Sequence, residues 1–448
     1  MKVPDRLDEL RNLAESLVEY GRANGADEID VGIGDGREFS VDVRLGQVEN
    51  LVEAGSTHLG LRVIKDRRTA YATSSDLNLE TVRRLVQNAV ARAKMGSPDE
   101  CAGLPPSAEY EFDAAALDLY DPEVESLDAL KKIQLALETE RIALADPRIT
   151  NSHGASFITN VGASVLANSN GFLGTYEQTF CSLSLGLQAG ETDEKAEDYW
   201  YTVDRFYRNL EPPEAIARKA VERTVRQLHP RKIRTQVAPV IFEPAMTAWL
   251  AGFLAACVSG TAVYQSATFL AGRLGEKIGN DMISVYDDGL MPGKLGSRPY
   301  DSEGVPCRRT PVVENGILGN YLCHTYAARK LKLQSTGNAE GGAVGPNNFY
   351  LAPGSISPSE IITSTKKGLL LTRTIGHGLN PVTGDFSRGA FGLWIENGEI
   401  AYPVSEITVS GNLEDVLKNV EIVGNDVDWR SSVCGPTIRV TGLTLAGK

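Results

Sequence analysis

The sequence predicts an α+β fold: an N-terminal domain of repeated antiparallel β-meander plus helix units, then a C-terminal domain rich in antiparallel sheet. Three observations predict it. Apolar and polar residues alternate through EIDVGIGDGREFSVDVRLGQVENLVEAGSTHLGLRVIKDRRTAYATSS (28–75), the period of half-buried strands. The same order of strands then helix recurs more weakly at SFITNVGASVLANSNGFLGTYEQTFCSLSLGLQAG, EDYWYTVDRF and PPEAIARKAVERTVRQL (156–228). In the second half, Asn315-Gly316 and Asn397-Gly398 each sit between alternating runs, a dipeptide that supplies the positive φ angles of a tight hairpin.

The elements follow in order. Leu7, Leu10, Leu13 and Leu17 stand at three- and four-residue spacing among charges, which predicts an amphipathic helix ending near Gly25. The first meander is expected to turn at Asp35-Gly36, Gly46 and Gly55, and LNLETVRRLVQNAVARAK (77–94) closes it as a helix. A linker and a further helix occupy 116–146, and the second meander turns at Asn170-Gly171. The two units, about 28–95 and 155–228, suggest an internal duplication. A basic connector at 229–236 divides the 448 residues into expected domains 1–232 and 233–448, sizes that each allow an ample core. From Pro244 to Gly272 no side chain is charged. The stretch lacks an aromatic belt or a Lys/Arg bias at its ends, so a buried core helix is expected, with Pro244 in its first turn and Gly260 as its stop. TGNAEGGAVGPNN (336–348) reads as a Gly/Asn-rich loop.

Composition excludes some functions. The net charge of −13, from 45 basic and 58 acidic residues, disfavours direct nucleic-acid binding, which needs clustered cations to displace counterions. Six cysteines without a CxxC pair, and an N-terminus without an apolar signal region, point to a reducing cytoplasm rather than to secretion or a membrane.

Local motifs supply no catalytic or metal centre. The five histidines (58, 153, 229, 324, 377) form no HExxH or HxH pair, the local spacing with which a helix or strand aims two imidazoles at zinc. Cys323-His324 reads as a core thiol beside a polar-face histidine on a strand. His377, Asp385 and Ser387 lie close in GHGLNPVTGDFSRGA. They would serve a hydrolase as base, orienter and nucleophile, but such triads come from distant segments and no GxSxG elbow is present, so a glycine-rich turn competes with that reading. Asp287, Asp288, Asp301 and Glu303 form the densest carboxylate group, with turn capping favoured over cation binding because no calcium-loop spacing accompanies them. Ser364 and Lys367 match SxxK, a pattern short enough for chance.

Longer phrases say more. SATFLAGRLGEKI, YDSEGVPCRRTPVVENGILGNYLCHTYAARKLKLQSTGNA and TGDFSRGAFGLWIENGEIAYPVSEITVSGNL, with GQVENLVEAG, SSDLN and SPDECAGLP in the N-terminal half, closely resemble the TldD/PmbA family, in particular its PmbA/TldE branch. The resemblance implies a cytoplasmic metallopeptidase complex in which a TldD-type zinc subunit pairs with a PmbA-type subunit. Its implied substrates are unfolded peptides, of the kind represented by antitoxins and microcins. It also brings the label "modulator of DNA gyrase". In the TldD-type chain a helix resembling HEAVGHGLEG holds zinc through HExxxH, with a more distant Cys. Laid over AGFLAACVSG, its two His positions fall on Ala251 and Ala256, its Glu on Gly252 and the distal Cys on Leu371. The resemblance therefore implies a chain with a degenerate zinc motif and no zinc of its own, acting with a zinc-bearing partner on extended peptides. An independent hydrolase using the His377 loop and a homodimeric non-catalytic binding protein are the alternatives.

Overall fold

The computed structural model describes residues 3–106, 113–191 and 195–447. Helix α1 (Val3–Ala23) precedes a meander of β1 (Glu28–Arg44), β2 (Gln47–Lys65) and β3 (Arg68–Ser74), which α2 (Leu79–Ala93) follows. Short α3 (Pro122–Ser126) and α4 (Ala129–Leu144) lead to a second meander, β4 (Ile149–Asn168), β5 (Leu173–Ala189) and β6 (Ala196–Asp204), followed by α5 (Pro213–Val225). All six strands make one antiparallel sheet in the order β3-β2-β1-β4-β5-β6, the two meanders joined through β1 and β4.

Strand alternation decides which face is covered. Odd-numbered Ile29, Val31, Ile33, Phe39 and Val41 of β1 are buried, under α1 and α2 at one end and α4 and α5 at the other. Leu10, Ala14 and Leu17 supply the inward stripe of α1, and each fully buried leucine of this kind contributes about 1.5–3 kcal/mol. Asn78 caps α2 by accepting from the Glu80 amide, and Asp128 caps α4 through the Leu130 amide. The even face carries Gly32, Gly34, Gly36 and Ser40 opposite Gly60, His58, Ser56 and Val52, and no helix of the N-terminal half covers it.

Two turns differ from expectation. Asp35-Gly36 and Gly55 lie inside paired strands, Gly36 opposite Ser56 and Arg37 opposite Gly55. The chain reverses instead at Leu45-Gly46 and at Asp66-Arg67, each with two positive φ angles. The Asn170-Gly171, Asn315-Gly316 and Asn397-Gly398 turns stand where the sequence puts them.

The second half begins with β7 (Gln236–Phe242), α6 (Pro244–Cys257) and α7 (Gly260–Tyr264). There follow β8 (Val285–Asp288), β9 (Arg309–Glu314), β10 (Ile317–Leu318), α8 (Thr325–Leu331), β11 (Ala339–Glu340), β12 (Ala343–Val344) and β13 (Asn348–Leu351). The chain ends with α9 (Pro358–Thr363), β14 (Lys367–Ile375), β15 (Asp385–Glu396), β16 (Glu399–Asn412), α10 (Leu413–Lys418), β17 (Val420–Val423), β18 (Val433–Cys434) and β19 (Ile438–Ala446). One sheet runs β16-β15-β14-β7-β19-β17, and β16 also pairs with β19, so five of its strands close into a ring. A second sheet runs β10-β9-β8-β13-β18. Pairing is antiparallel except for β7–β14 and β13–β18.

Helix α6 is the first part of the uncharged stretch, which continues through α7 into the following loop. It has 14 residues, short of the roughly 20 that cross a bilayer, and no described helix is long and apolar enough to do so. It lies between β7 and β14 on one side and β13 and β18 on the other, with Leu250, Phe253, Leu254 and Cys257 in the C-terminal core beside Phe242, Phe349 and Trp394. Pro244 occupies its first turn, as the fixed φ of proline favours. Gly260 does not stop it: α6 ends at Cys257, and Gly260 opens α7 where its amide donates to the Leu322 carbonyl at 2.7 Å. A Cβ there would stand 2.7 Å from Cys323 Sγ, so this glycine serves close packing.

Candidate functional site

Helix α6 is anchored at its start. The Glu243 carboxylate receives Arg223 Nη1 at 3.1 Å and Arg226 Nη2 at 2.9 Å from the end of α5, and the Glu243 amide donates to the Leu371 carbonyl of β14 at 3.2 Å. From this anchor Ala251 is buried, Gly252 is half-buried and Ala256 is exposed, while Leu371 is fully buried in β14. The four positions offer methyl groups, a bare Cα and an isobutyl group. None is a nitrogen, oxygen or sulfur donor, so zinc does not fit them. Cys257 does not compensate, since it is enclosed in the core and burial pushes its thiol up to about 12, far from the thiolate that binds metal. Among the described residues no three His, Cys, Asp or Glu side chains are grouped to hold a metal ion.

The His377 loop joins β14 to β15, and His377, Asp385 and Ser387 are all exposed. Asp385 Oδ1 accepts from Asn412 Nδ2 at 2.9 Å, and hydrogen bonds from Asn412 and Thr383 hold its carboxyl below the usual range. Ser387 Oγ lies 3.0 Å from Ser410 Oγ across the ladder, and its amide donates to the Gly378 carbonyl. The hydrogen bonds found in this loop among the described residues do not link His377 to either side chain. His324 is the N-cap of α8 rather than a strand residue: its Nδ1 accepts the Ala327 amide at 2.9 Å. Burial pushes the neighbouring Cys323 thiol up to about 12. Ser364 closes α9, with Oγ donating to the Ile361 carbonyl, and Lys367 lies over the Trp394 ring.

The four carboxylates separate by task. Asp288 Oδ1 takes the Leu290 amide, and Asp301 Oδ1 takes the amides of Glu303 and Val305, both as turn caps. Asp301 Oδ2 adds the Ala339 amide. Asp287 is instead an interior clamp: it receives the Asn347 amide at 2.6 Å and the side-chain amides of Asn338 and Asn347 at 2.8 and 2.9 Å. It thereby fixes the course of the Gly/Asn-rich loop, which folds as β11, β12 and the start of β13. Burial pushes both Asp287 and Asp301 up to about 6. Glu303 belongs to a joint between the halves that the sequence did not reveal. Arg62 of β2 donates Nε to Asp30 at 2.8 Å and Nη1 to Glu303 at 2.8 Å. Burial pushes Asp30 up; Glu303, equally enclosed, is held low by Arg62 and the Thr325 amide. An acid and an arginine alternating onto the polar faces of neighbouring strands was the only local signal, and the partner from the other half is 241 positions away.

This joint borders a cavity of about 360 Å³ between the even face of the first sheet and the 298–303 segment. Its floor is Gly32, Gly34 and Gly60, and Tyr176, Arg298 and Tyr300 stand in its wall.

Comparison with known proteins bears on all these elements. Three family profiles match: PmbA/TldA metallopeptidase domain 1 over residues 29–93, the central domain over 122–228 and the C-terminal domain over 235–447. The chain is 38% identical to Metalloprotease PmbA of Escherichia coli O157:H7, across all of this chain and 99% of that one. It is 36% identical to a Metalloprotease PmbA homolog of Haemophilus influenzae, across 98% and 96%. A crystal structure from Bacteroides thetaiotaomicron, described as a candidate modulator of DNA gyrase, superposes with a TM-score of 0.91 at 28% identity over 98% of this chain and 99% of that one. TldE from Thermococcus kodakarensis shares the fold, with a TM-score of 0.88 at 23% identity over 97% and 100%.

Proposed function

This chain belongs to the PmbA/TldD metallopeptidase family, and from that premise we propose that it is a PmbA/TldE-type subunit that carries no catalytic metal and completes the substrate cavity of a zinc-bearing TldD-type partner. What supports this reading is α6, anchored at its start by Glu243: on the alignment that the family resemblance implies, Ala251, Gly252 and Ala256 take the positions of the zinc motif and Leu371 that of the distal cysteine, and none of the four carries a donor atom. In such a partner, zinc would polarise the scissile carbonyl and lower the pKa of its bound water. This chain's share is to bind and align the substrate, an extended unfolded peptide whose main chain pairs with exposed strand edges. Its six cysteines are all unpaired thiols, which supports a cytoplasmic setting.

The test is reconstitution. Purified alone, the chain is expected to carry no stoichiometric zinc and to leave an unfolded peptide intact; with a TldD-type subunit it should co-elute as a heterodimer and support cleavage that a chelator abolishes. Zinc at one equivalent together with cleavage by the isolated chain would overturn the assignment. Metal-free cleavage lost on His377→Ala would favour the independent hydrolase, and a stable homodimer indifferent to the partner would favour the binding protein.

A further inference from the structure

The glycines of the first sheet divide into two kinds. Gly174 is required by packing, because a Cβ there would lie 2.4 Å from the Tyr300 ring. Gly34 is not: a Cβ would meet nothing within 4 Å, and at Gly32 and Gly60 the nearest atoms are 3.8 and 3.7 Å away. None of these three has a positive φ. Glycine inside a strand weakens it, and where neither packing nor backbone demands it, it marks close approach by a ligand or another chain. These three pave the floor of the cavity between the halves.

The wall has a matching chemistry. Tyr300 and Tyr176 of the wall stand edge to face with ring centroids 5.5 Å apart, and Phe172, outside the lining, backs Tyr300 at 5.0 Å. Arg298 Nε donates to Asn347 Oδ1 at 2.8 Å, Asn347 in turn donates to Asp287, and the Cys307 thiol stands beside the guanidinium. The ion pairs among the described residues leave Arg298 without a carboxylate. Its Nη2 is enclosed by protein and has no acceptor, so Nη1 is the edge it can offer to a ligand in the cavity. The acids nearby are already engaged: Asp30 and Glu303 by Arg62, and Asp301 by three backbone amides. A planar guanidinium with an unused N–H edge beside aromatic walls fits a carboxylate attached to an apolar body.

We propose that this cavity is a carboxylate-binding pocket, in which Arg298 takes the carboxylate, the glycine floor admits the body of the ligand and the tyrosines flank it. The ligand class is a short peptide with a free C-terminus or a small apolar carboxylic acid. No residue of α6 lines the pocket, and the proposal stands whether or not the chain serves a zinc partner.

The test uses the full chain alone and isothermal titration calorimetry with three probes: N-acetyl-leucyl-phenylalanine, its C-terminal amide and 3-phenylpropionate. The acid should bind at least about tenfold more tightly than the amide, the worth of one charge-assisted pair. R298Q should erase that preference, with R298K intermediate because it keeps charge without the planar fork. Gly34→Val places a β-branched side chain in open floor space and should abolish binding of every probe while leaving the melting temperature unlowered. If 3-phenylpropionate matches the dipeptide acid, the ligand is a small carboxylic acid; if it binds far more weakly, the ligand is a peptide end. Equal binding of acid and amide, acid preference surviving in R298Q, unchanged binding in G34V, or no binding of any probe at millimolar concentration would each overturn the proposal.

Discussion

Asp287 and Asp301 are acids surrounded by N–H donors yet pushed up to about 6 by burial, from 3.8 for a free aspartate. Between those values the native state holds a proton that the unfolded state has released. Their contribution to stability is therefore fully present below about pH 4 and is lost as pH rises through 6, by on the order of 2–3 kcal/mol for each group. Asp287→Asn removes one such titration. The stability of the wild type minus that of the variant, from urea unfolding, should be larger at pH 4.5 than at pH 7 by on the order of 2 kcal/mol; a difference independent of pH would count against it. Arg62 makes the opposite case, one cation between two buried acids. Arg62→Met leaves Asp30 and Glu303 uncompensated and is expected to cost about 3–5 kcal/mol at pH 7, read from the same titrations. Little of this was legible in the sequence. The turn-capping reading holds for Asp288 and for Asp301 Oδ1, whose partners are two to four residues on, but not for Asp287, whose Asn partners are 51 and 60 positions away. Arg298 carried no local signal, because what distinguishes it is a missing ion pair, which only the folded chain reveals.

At the scale of elements, α6 shows how enclosure on several sides fixes a helix in place. It is apolar on every side because it sits between two sheets, so burial selects the same residue types on all faces and the sequence could place the helix without finding its neighbours. Gly252 is its weak point, since glycine inside a helix is about 1 kcal/mol less favourable than alanine. A Cβ at this position would meet only Val433 Cγ1, at 3.9 Å. Gly252→Ala should therefore raise stability by about 0.5–1 kcal/mol, seen as a higher urea midpoint; a lower midpoint would mean that the glycine still serves a contact. The hairpins teach a related lesson. Asn-Gly turns were legible at three sites because each needs a glycine at positive φ, and at Asn315 and Asn397 the asparagine adopts one as well. Asp35-Gly36 carries the same local signal but is overridden by a strand of 17 residues paired on both sides.

Across the whole molecule, the halves are joined mainly by polar contacts, with the packing of Phe172 and Tyr176 on Tyr300, rather than by a shared core. Every hydrophobic cluster among the described residues lies wholly before residue 229 or wholly after residue 232. What crosses is mostly arginine on backbone carbonyls: Arg205 donates to those of Lys294, Leu295 and Ser297, Arg329 to Cys101 and Leu104, Arg373 to Glu197 and Arg430 to Tyr201. Arg205 is buried among neutral acceptors, and burial pulls its guanidinium down to about 10. Removing it leaves several enclosed carbonyls without donors, at about 1–3 kcal/mol for each one that water does not reach. Because each half keeps its own core, that loss should fall on the coupling between them rather than on either half. In scanning calorimetry the wild type is expected to melt in one transition, and the double variant R205M/R329M in two, the first below the wild-type midpoint. The variant should also lose the acid-over-amide preference at temperatures where both halves remain folded, since Gly34 and Arg298 come from opposite sides of the joint. A single, merely lowered transition would show that the halves unfold as one unit, and would count against the division near residue 232.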